Sequence, residues 1–187
     1  MRLHPHPAGP PGVVRAIESD LRRQADGRLG VSFSLDAELA RLNLPPAGRP
    51  ERADGLWRHT CFEVFFSAAG ARSYCELNFS PSGAWAAYAF DSYRAGMRPL
   101  DLAEVPSARW VRSPQQLTLR AQVNAACLLP EGAGVNLHVA LSAVVEEQSG
   151  TITYWALQHP AASPDFHHRG GFILEVPGIQ VAGGQQT

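Results

Sequence analysis

The sequence predicts an all-β domain, either a sandwich or a barrel, and three observations support this fold class. Apolar and polar residues alternate strictly over residues 29–35 and 117–124, as expected for strands with one buried face. Turn-forming residues such as Pro81-Ser82-Gly83 separate the strand-like segments. Only residues 16–24 and 36–41 are predicted to be helical, and both segments are short. Many strands with almost no helix favour a sandwich or barrel over an α/β fold.

The strands follow one another along most of the chain. They are predicted at residues 29–35, 60–66, 74–80, 85–90, 117–124, 135–145, 151–157 and 172–176. Ala68-Ala69-Gly70 is a short turn that pairs residues 60–66 with residues 74–80, and residues 85–90 extend this meander. We expect residues 1–187 to form a single domain, with flexible termini at 1–11 and 178–187.

Charge and composition exclude several classes of function. The formal net charge is -1, so nucleic acid is not an expected partner. All 16 basic residues are arginine. Because no lysine is present, Schiff-base chemistry and a P-loop phosphate site are excluded.

Neither a leader nor a membrane span is predicted. The first twelve residues contain four prolines and no apolar run of signal-peptide length, so we expect a cytoplasmic protein that does not contact membranes. The three cysteines, Cys61, Cys75 and Cys127, lie in apolar surroundings in the sequence. They are predicted to be buried thiols rather than disulfide partners.

A cluster of polar and aromatic residues marks the candidate site, and it consists of Trp57, His59, Glu63, Glu76 and Asn78. Glu63 shares a strand face with Cys61 and Phe65, where a carboxylate is costly unless it is paired or meets a ligand. One interpretation is a ligand-facing hydrogen-bond acceptor. The other is an ion pair with an arginine such as Arg58 or Arg120.

Two tryptophans could stack on a sugar ring. Trp57 lies where a loop enters a strand, and Trp85 lies within a predicted strand. Flat aromatic side chains bind the apolar face of a sugar while neighbouring polar groups bind its hydroxyls. Core packing is the competing interpretation for both residues, and it is favoured for Trp85.

A loop near the C-terminus, residues 163–171, contains Asp165, Phe166, His167 and His168. Adjacent histidines in an extended segment point in opposite directions, so they make a weak metal site even with His159 nearby. Capping of loop carbonyls is the favoured role. A small enzyme or metal protein using Glu63, Glu76 and His167 remains an alternative, including a paired-carboxylate glycosidase.

Four segments together resemble DOMON-like domains related to family 9 carbohydrate-binding modules. They are Leu56-Trp57-Arg58-His59-Thr60-Cys61-Phe62-Glu63-Val64-Phe65-Phe66, Tyr74-Cys75-Glu76-Leu77-Asn78-Phe79-Ser80-Pro81-Ser82-Gly83, Tyr154-Trp155-Ala156-Leu157 and Pro164-Asp165-Phe166-His167-His168. The resemblance spans residues 55–175. It implies an antiparallel β-sandwich of about ten strands, jelly-roll or immunoglobulin-like.

The resemblance also implies a function and a site. Trp57 would stack on a sugar, Glu63 would accept hydroxyl protons, and Glu76 and Asn78 would add polar contacts. Phe166, with Asp165 and His167 beside it, would supply the second aromatic of the sugar clamp. The implied function is that of a non-catalytic ligand-binding module for a carbohydrate or a sugar-containing small molecule.

Haem is the main cofactor alternative. Other DOMON-like domains bind haem through methionine and histidine, which here would be Met97 with His167 or His168. No family motif fixes these roles, and none indicates a structural calcium. The expectation is therefore a domain without a cofactor or a dedicated metal.

Overall fold

A computed structural model describes residues 1–10, 12–24, 26–124 and 135–178 of the chain. Twelve strands lie within these residues: β1 (Arg2–Pro5), β2 (Val14–Arg23), β3 (Leu29–Ala37), β4 (Cys61–Ala68), β5 (Tyr74–Phe79), β6 (Trp85–Phe90), β7 (Arg98–Pro99), β8 (Ser107–Arg112), β9 (Gln116–Val123), β10 (Leu137–Glu146), β11 (Ile152–Ala156) and β12 (Leu174–Val176). Short 3₁₀ helices occupy Leu39–Arg41, Leu56–Arg58 and Arg169–Gly171. Within the described ranges, no helix has the length and apolarity needed to cross a membrane.

The strands form one long antiparallel sheet that folds back into two layers. Its order is β7-β6-β5-β4-β10-β11-β1-β2-β3-β9-β8, and β12 adds to β10. β1 pairs with β11 in one layer and with β2 in the other, so it joins the two layers. The predicted all-β, antiparallel sandwich is confirmed.

The main core lies between the two layers. Phe33 of β3 packs on Phe62 of β4 with ring centroids 5.2 Å apart, and Phe62 in turn lies 5.5 Å from Trp110 of β8. All three rings lie on the inner faces of the layers, where apolar surface is removed from water. Trp85 also belongs to this core, as its favoured interpretation predicted.

The strands β4, β5 and β6 are buried on both faces. Alternation sends Phe62, Val64 and Phe66 of β4 into the main core, while Phe65 belongs to a second apolar cluster with Tyr74. This second cluster lies on the outer face of the layer, where Trp57 and Phe166 pack against it. The outer face of β4–β6 is therefore covered by loops, and a site can form between the sheet and those loops.

The helix predicted at residues 16–24 is wrong, because β2 occupies Val14–Arg23. Ile17 and Leu21 are four residues apart, and this spacing places them on one face of either a helix or a strand. A shift of register between Val14 and Ala16 also interrupts the alternation at the start of β2. The local pattern therefore could not distinguish the two structures.

The helix predicted at residues 36–41 is only partly present. β3 continues to Ala37, and a single 3₁₀ turn follows at Leu39–Arg41. The flexible N-terminus predicted at 1–11 is also wrong for β1, whose Leu3 is fully buried in the core. Of the predicted flexible segment 178–187, residues 179–187 lie outside the described residues.

The meander around the candidate site is as predicted. β4 pairs with β5, and β5 with β6, through turns at Gly70 and Gly83. Both glycines have positive φ, 78° and 98°, which residues with a Cβ rarely adopt. Cys61 and Cys75 are buried as predicted, and Cys127 lies outside the described residues.

Candidate functional site

The predicted site residues of β4 and β5 share the outer face of their layer. Glu63 lies opposite Asn78, and Phe65 lies opposite Glu76, in the antiparallel register of the two strands. On the far side, Ser142 of β10 pairs with Glu63. In this register the alternation of the two strands places both glutamates on one surface.

A cavity of about 330 Å³ lies above these glutamates. Its floor comes from the sheet and its walls come from three loops, which precede β4, link β6 to β7, and link β11 to β12. Its lining residues are Trp57, Glu63, Glu76, Phe90, Arg94, Met97, Val144, Tyr154, Pro164, Phe166 and His167. A space of this size is suited to a small molecule.

Two buried carboxyls form the polar part of the floor. Glu63 is 3% exposed and accepts a hydrogen bond from the Ser142 hydroxyl at 3.3 Å. Glu76 is 4% exposed and accepts one from the Asn78 amide at 2.6 Å. Burial, and secondly the charge of Glu76, raise the pKa of Glu63 well above its ordinary value. Burial raises the pKa of Glu76 to about 7, against the opposing effects of Asn78 and Arg94.

No arginine within the described ranges forms the alternative ion pair with Glu63. Arg58 is exposed, and Arg120 lies on β9 in the other layer, opposite Ser32. The carboxyl of Glu63 is therefore buried beside a second carboxyl, with a hydroxyl rather than a cation as its partner.

Asn78 lies beside the two glutamates on the same face of the sheet. It is fully buried and does not line the cavity, but its amide donates to Glu76 and its carbonyl accepts from the Cys61 thiol at 3.4 Å. Burial, together with the charges of Glu63 and Glu76, raises the pKa of that thiol well above its ordinary value. Cys61 therefore remains a neutral donor that helps to orient Asn78.

His167 presents an N–H group to the cavity. The Tyr74 hydroxyl accepts the Arg94 backbone N–H at 3.2 Å and lies 2.8 Å from His167 Nδ1. We assign the hydroxyl as donor to Nδ1, since this arrangement gives its proton an acceptor and leaves the ring proton on Nε2. Nε2 lies 4.0 Å from Glu76 Oε2. Burial, and secondly the charge of Arg94, lower the pKa of His167 to about 4, so this contact is not an ion pair at neutral pH.

Asp165 connects two of the loops that wall the cavity. Its carboxylate accepts hydrogen bonds from the Tyr93 hydroxyl at 2.5 Å, from the Arg94 guanidinium at 2.8 Å and from the His167 backbone N–H at 3.1 Å. Burial alone would raise the pKa of Asp165, but the bonds from Tyr93 and Arg94 outweigh it and hold that pKa below its ordinary value. Asp165 therefore acts as a latch between loops and as the counter-charge of Arg94, and it does not line the cavity.

Aromatic rings form the apolar walls. Trp57, in the 3₁₀ turn before β4, is partly buried and meets Tyr88 edge-on with centroids 5.6 Å apart. Phe166 packs in the same manner against Tyr154, with centroids 6.1 Å apart. Trp57 and Phe166, the two aromatics predicted to clamp a ligand, thus line the same cavity.

His59 lies outside the cavity. Its side chain is 67% exposed, and its Nδ1 lies 2.8 Å from a carboxylate oxygen of Glu146. His59 precedes β4, which begins at Cys61. The alternation of side chains holds only within a strand, so the sequence did not fix where the side chain of His59 points. Its predicted role as a ligand contact has no support from this geometry.

Two of the C-terminal histidines bond to the backbone, but neither caps a loop carbonyl, the role favoured from the sequence. His168 Nδ1 accepts the Gly170 backbone N–H at 3.1 Å, and His159 Nε2 lies 2.8 Å from the His4 carbonyl. Across the described ranges, no group of three histidine, cysteine, aspartate or glutamate side chains is placed to hold a metal ion.

Sequence reasoning missed Arg94 and Tyr154 as lining residues. Arg94 has a φ of +52°, and its left-handed backbone turns the loop towards Tyr74. The run Tyr93-Arg94-Ala95-Gly96 lies between two predicted strands, and the sequence of such a connection does not say which residue turns inward. Tyr154 lies opposite Val144 in the pairing of β11 with β10, a register that the sequence alone did not give.

Comparison with known proteins shows similarity in structure alone. No family model matches the sequence, and no curated protein matches it. A candidate carbohydrate-binding protein from Bacteroides uniformis ATCC 8492 superposes with a TM-score of 0.60 at 10% identity, over 83% of this chain and 75% of that one. A family 9 carbohydrate-binding module from Caldicellulosiruptor kristjanssonii, solved with glucose, gives 0.50 at 11% identity, over 96% of this chain and 86% of that one. The chain shares their fold. At this level of identity the likeness carries no residue roles, which depend on the site itself.

Proposed function

We propose that the chain binds a carbohydrate, or a small molecule with a sugar part, in the cavity above Glu63 and Glu76. The observation that supports this most is the pairing of two buried carboxyls on the floor with Trp57 and Phe166 on the walls. Sugars present both hydroxyl donors and apolar ring faces, and this cavity offers acceptors for the first and aromatic surface for the second. The sugar-binding neighbours in fold agree with the proposal.

The proposed role is binding without catalysis. The resemblance to non-catalytic sugar-binding modules supports this role. Hydrolysis of a glycoside that is lost in Glu63→Gln and Glu76→Gln would overturn it. Membership of the DOMON-like group is part of the same proposal, and the four motifs that carry the resemblance support it.

Fluorescence titration tests the proposal. Wild type is titrated with mono- and disaccharides, and Trp57→Phe and Trp110→Phe are titrated in parallel. Trp110 packs on Phe62 in the main core, so it is a matched control outside the cavity. We expect a saturable change in wild type and Trp110→Phe that is lost in Trp57→Phe. A flat response of wild type to every sugar, checked by calorimetry, would refute the proposal.

Replacement of Trp57 by alanine measures how much stacking contributes to the affinity. Trp57→Ala removes the aromatic wall while leaving Glu63 and Glu76 in place, so the affinity should fall by about 1–2 kcal/mol, roughly 5- to 30-fold. Calorimetry measures this change directly. An affinity equal to that of wild type would show that the ligand binds elsewhere.

Haem fits this cavity poorly. Met97 and His167 do line the same space, which is the observation that favours the haem alternative. However, His167 Nε2 lies beside Glu76, and two carboxyls occupy the floor where an apolar macrocycle would rest. We therefore do not assign haem to these residues. An absorbance spectrum of the purified protein checks this, since a Soret band lost in Met97→Ala would overturn it.

A further inference from the structure

We propose that the ligand is an amino sugar, or a similarly compact polyhydroxylated molecule with a primary ammonium group, and that the ammonium lies between Glu63 and Glu76. The inference deepens the proposed carbohydrate binding and rests on it. Two independent features carry it: the charges that face the cavity, and the carboxylate oxygens that remain open towards it.

The charges around the cavity leave two acidic groups without a cation. Arg94 is the basic side chain in the lining, and its guanidinium is already paired with Asp165 at 2.8 Å. His167 is neutral at physiological pH, because burial lowers its pKa to about 4. Among the described residues, the hydrogen-bond partners of Glu63 and Glu76 on the floor are Ser142 and Asn78, which carry no charge.

The open oxygens point to a donor-rich cation. Glu63 accepts the Ser142 hydroxyl on Oε2, and no side chain or backbone group among the described residues donates to its Oε1. Glu76 accepts Asn78 on Oε1, while His167 Nε2, at 4.0 Å, is the one side-chain donor near its Oε2 in the part of the chain that the structure describes. Both side chains are more than nine-tenths buried and line the cavity. An ammonium has three N–H donors and no acceptor, which matches two carboxyls with one open oxygen each.

An ammonium is favoured over a neutral hydroxyl for an electrostatic reason. Two carboxylates side by side in a water-poor site repel each other, so the unliganded pair retains a proton. A cation between them stabilises the doubly ionised pair, and the aromatic walls strengthen the attraction by excluding water. Trp57 and Phe90 can add cation–π attraction to the same group.

Ligand binding at the carboxyl pair should release protons. Binding of an ammonium ionises the carboxyl pair, so protons leave the protein when the ligand binds near neutral pH. The other titratable or charged groups facing the pair are the Cys61 thiol, the Tyr74 and Tyr88 phenols, His167 and Arg94. All of these keep their charge state between pH 6 and 8, since burial lowers the pKa of His167 to about 4 and leaves it neutral there. Calorimetry in two buffers of different ionisation enthalpy measures the proton release.

The test compares sugars that differ at one group. Glucose, galactose and mannose are each titrated beside the matching 2-amino-2-deoxy sugar and its N-acetyl derivative. We expect at least one amino sugar to bind about tenfold or more tightly than its parent, with protons released, and the N-acetyl derivative to lack this advantage. In Glu63→Gln and Glu76→Gln the advantage should disappear while the parent sugar still binds. Glu146→Gln, on β10 and outside the cavity, should keep it.

The outcomes separate the two proposals. Equal affinity for sugars and amino sugars overturns the ammonium assignment and leaves carbohydrate binding in place. An advantage that survives in both glutamine variants also overturns it, since the ammonium would then lie elsewhere. If no sugar of either kind binds, both proposals fail. Melting temperatures of the variants confirm that each is folded before its affinity is compared.

Discussion

The carboxyl of Glu76 should make the protein less stable as the pH rises. Burial raises its pKa from the ordinary value of 4.5 to about 7 in the folded state. A group with this shift binds its proton more tightly when folded, so its contribution is fully present below pH 4.5 and is lost as the pH rises through 7. Each change of one in pKa corresponds to about 1.4 kcal/mol, so the loss amounts to about 3 kcal/mol. Glu63 acts in the same direction, since its folded-state pKa is also raised.

Urea unfolding of wild type and Glu76→Gln at pH 4.5, 6 and 8 measures this effect. The variant should gain stability relative to wild type with rising pH, with a difference that grows by about 3 kcal/mol between pH 4.5 and 8 at constant m-value. Glu38→Gln, at an exposed position, is the matched control and should follow the wild-type profile. Parallel profiles of wild type and Glu76→Gln would refute the assignment of a raised pKa to Glu76.

Three further predictions concern stability and the loops. Leu3→Ala should cost about 2–5 kcal/mol in urea unfolding, because Leu3 is fully buried in the main core; a loss below 1 kcal/mol would mean that β1 is not anchored. Asp165→Ala removes the acceptor shared by Tyr93, Arg94 and the His167 backbone, and should cost about 1–3 kcal/mol and speed proteolysis of these loops; unchanged digestion would contradict the latch. Burial lowers the pKa of His167 from 6.5 to about 4 in the folded state, so the free energy of unfolding falls by about 3 kcal/mol as the pH falls from 6.5 to 4. His167→Gln should abolish this fall, and urea unfolding with the same pH dependence in wild type and variant would contradict the lowered pKa.

The strands around the site could be predicted from local sequence, because apolar and polar residues alternate along them and a glycine turn joins them. Alternation placed Glu63 with Cys61 and Phe65, and it placed Glu76 with Asn78, on one face of β4 and β5. The turn at Gly70 then fixed the two strands as neighbours. The register that places both glutamates on one face, with Glu76 opposite Phe65, came from the structure.

The walls of the cavity were harder to predict. Phe166 was identified by resemblance to a family, whereas Trp57 was already a candidate from its place where a loop enters a strand. Their loops meet only through long-range contacts. Arg94, His167 and Asp165 are connected by a hydrogen-bond network between segments about 70 residues apart in the chain. No local sequence pattern predicts contacts between such distant segments. His59 lies close to Glu63 in sequence, yet its side chain is exposed and outside the cavity.

The position of β1 has a consequence for association between copies of the chain. Its four residues supply hydrogen bonds to β11 on one side and to β2 on the other. If β1 detached, both neighbours would present unpaired strand edges, and such edges readily accept a strand from another molecule. The corresponding segment of a second copy has the right sequence to fill that gap. Exchange of β1 between two copies would fill both edges and would give a domain-swapped dimer.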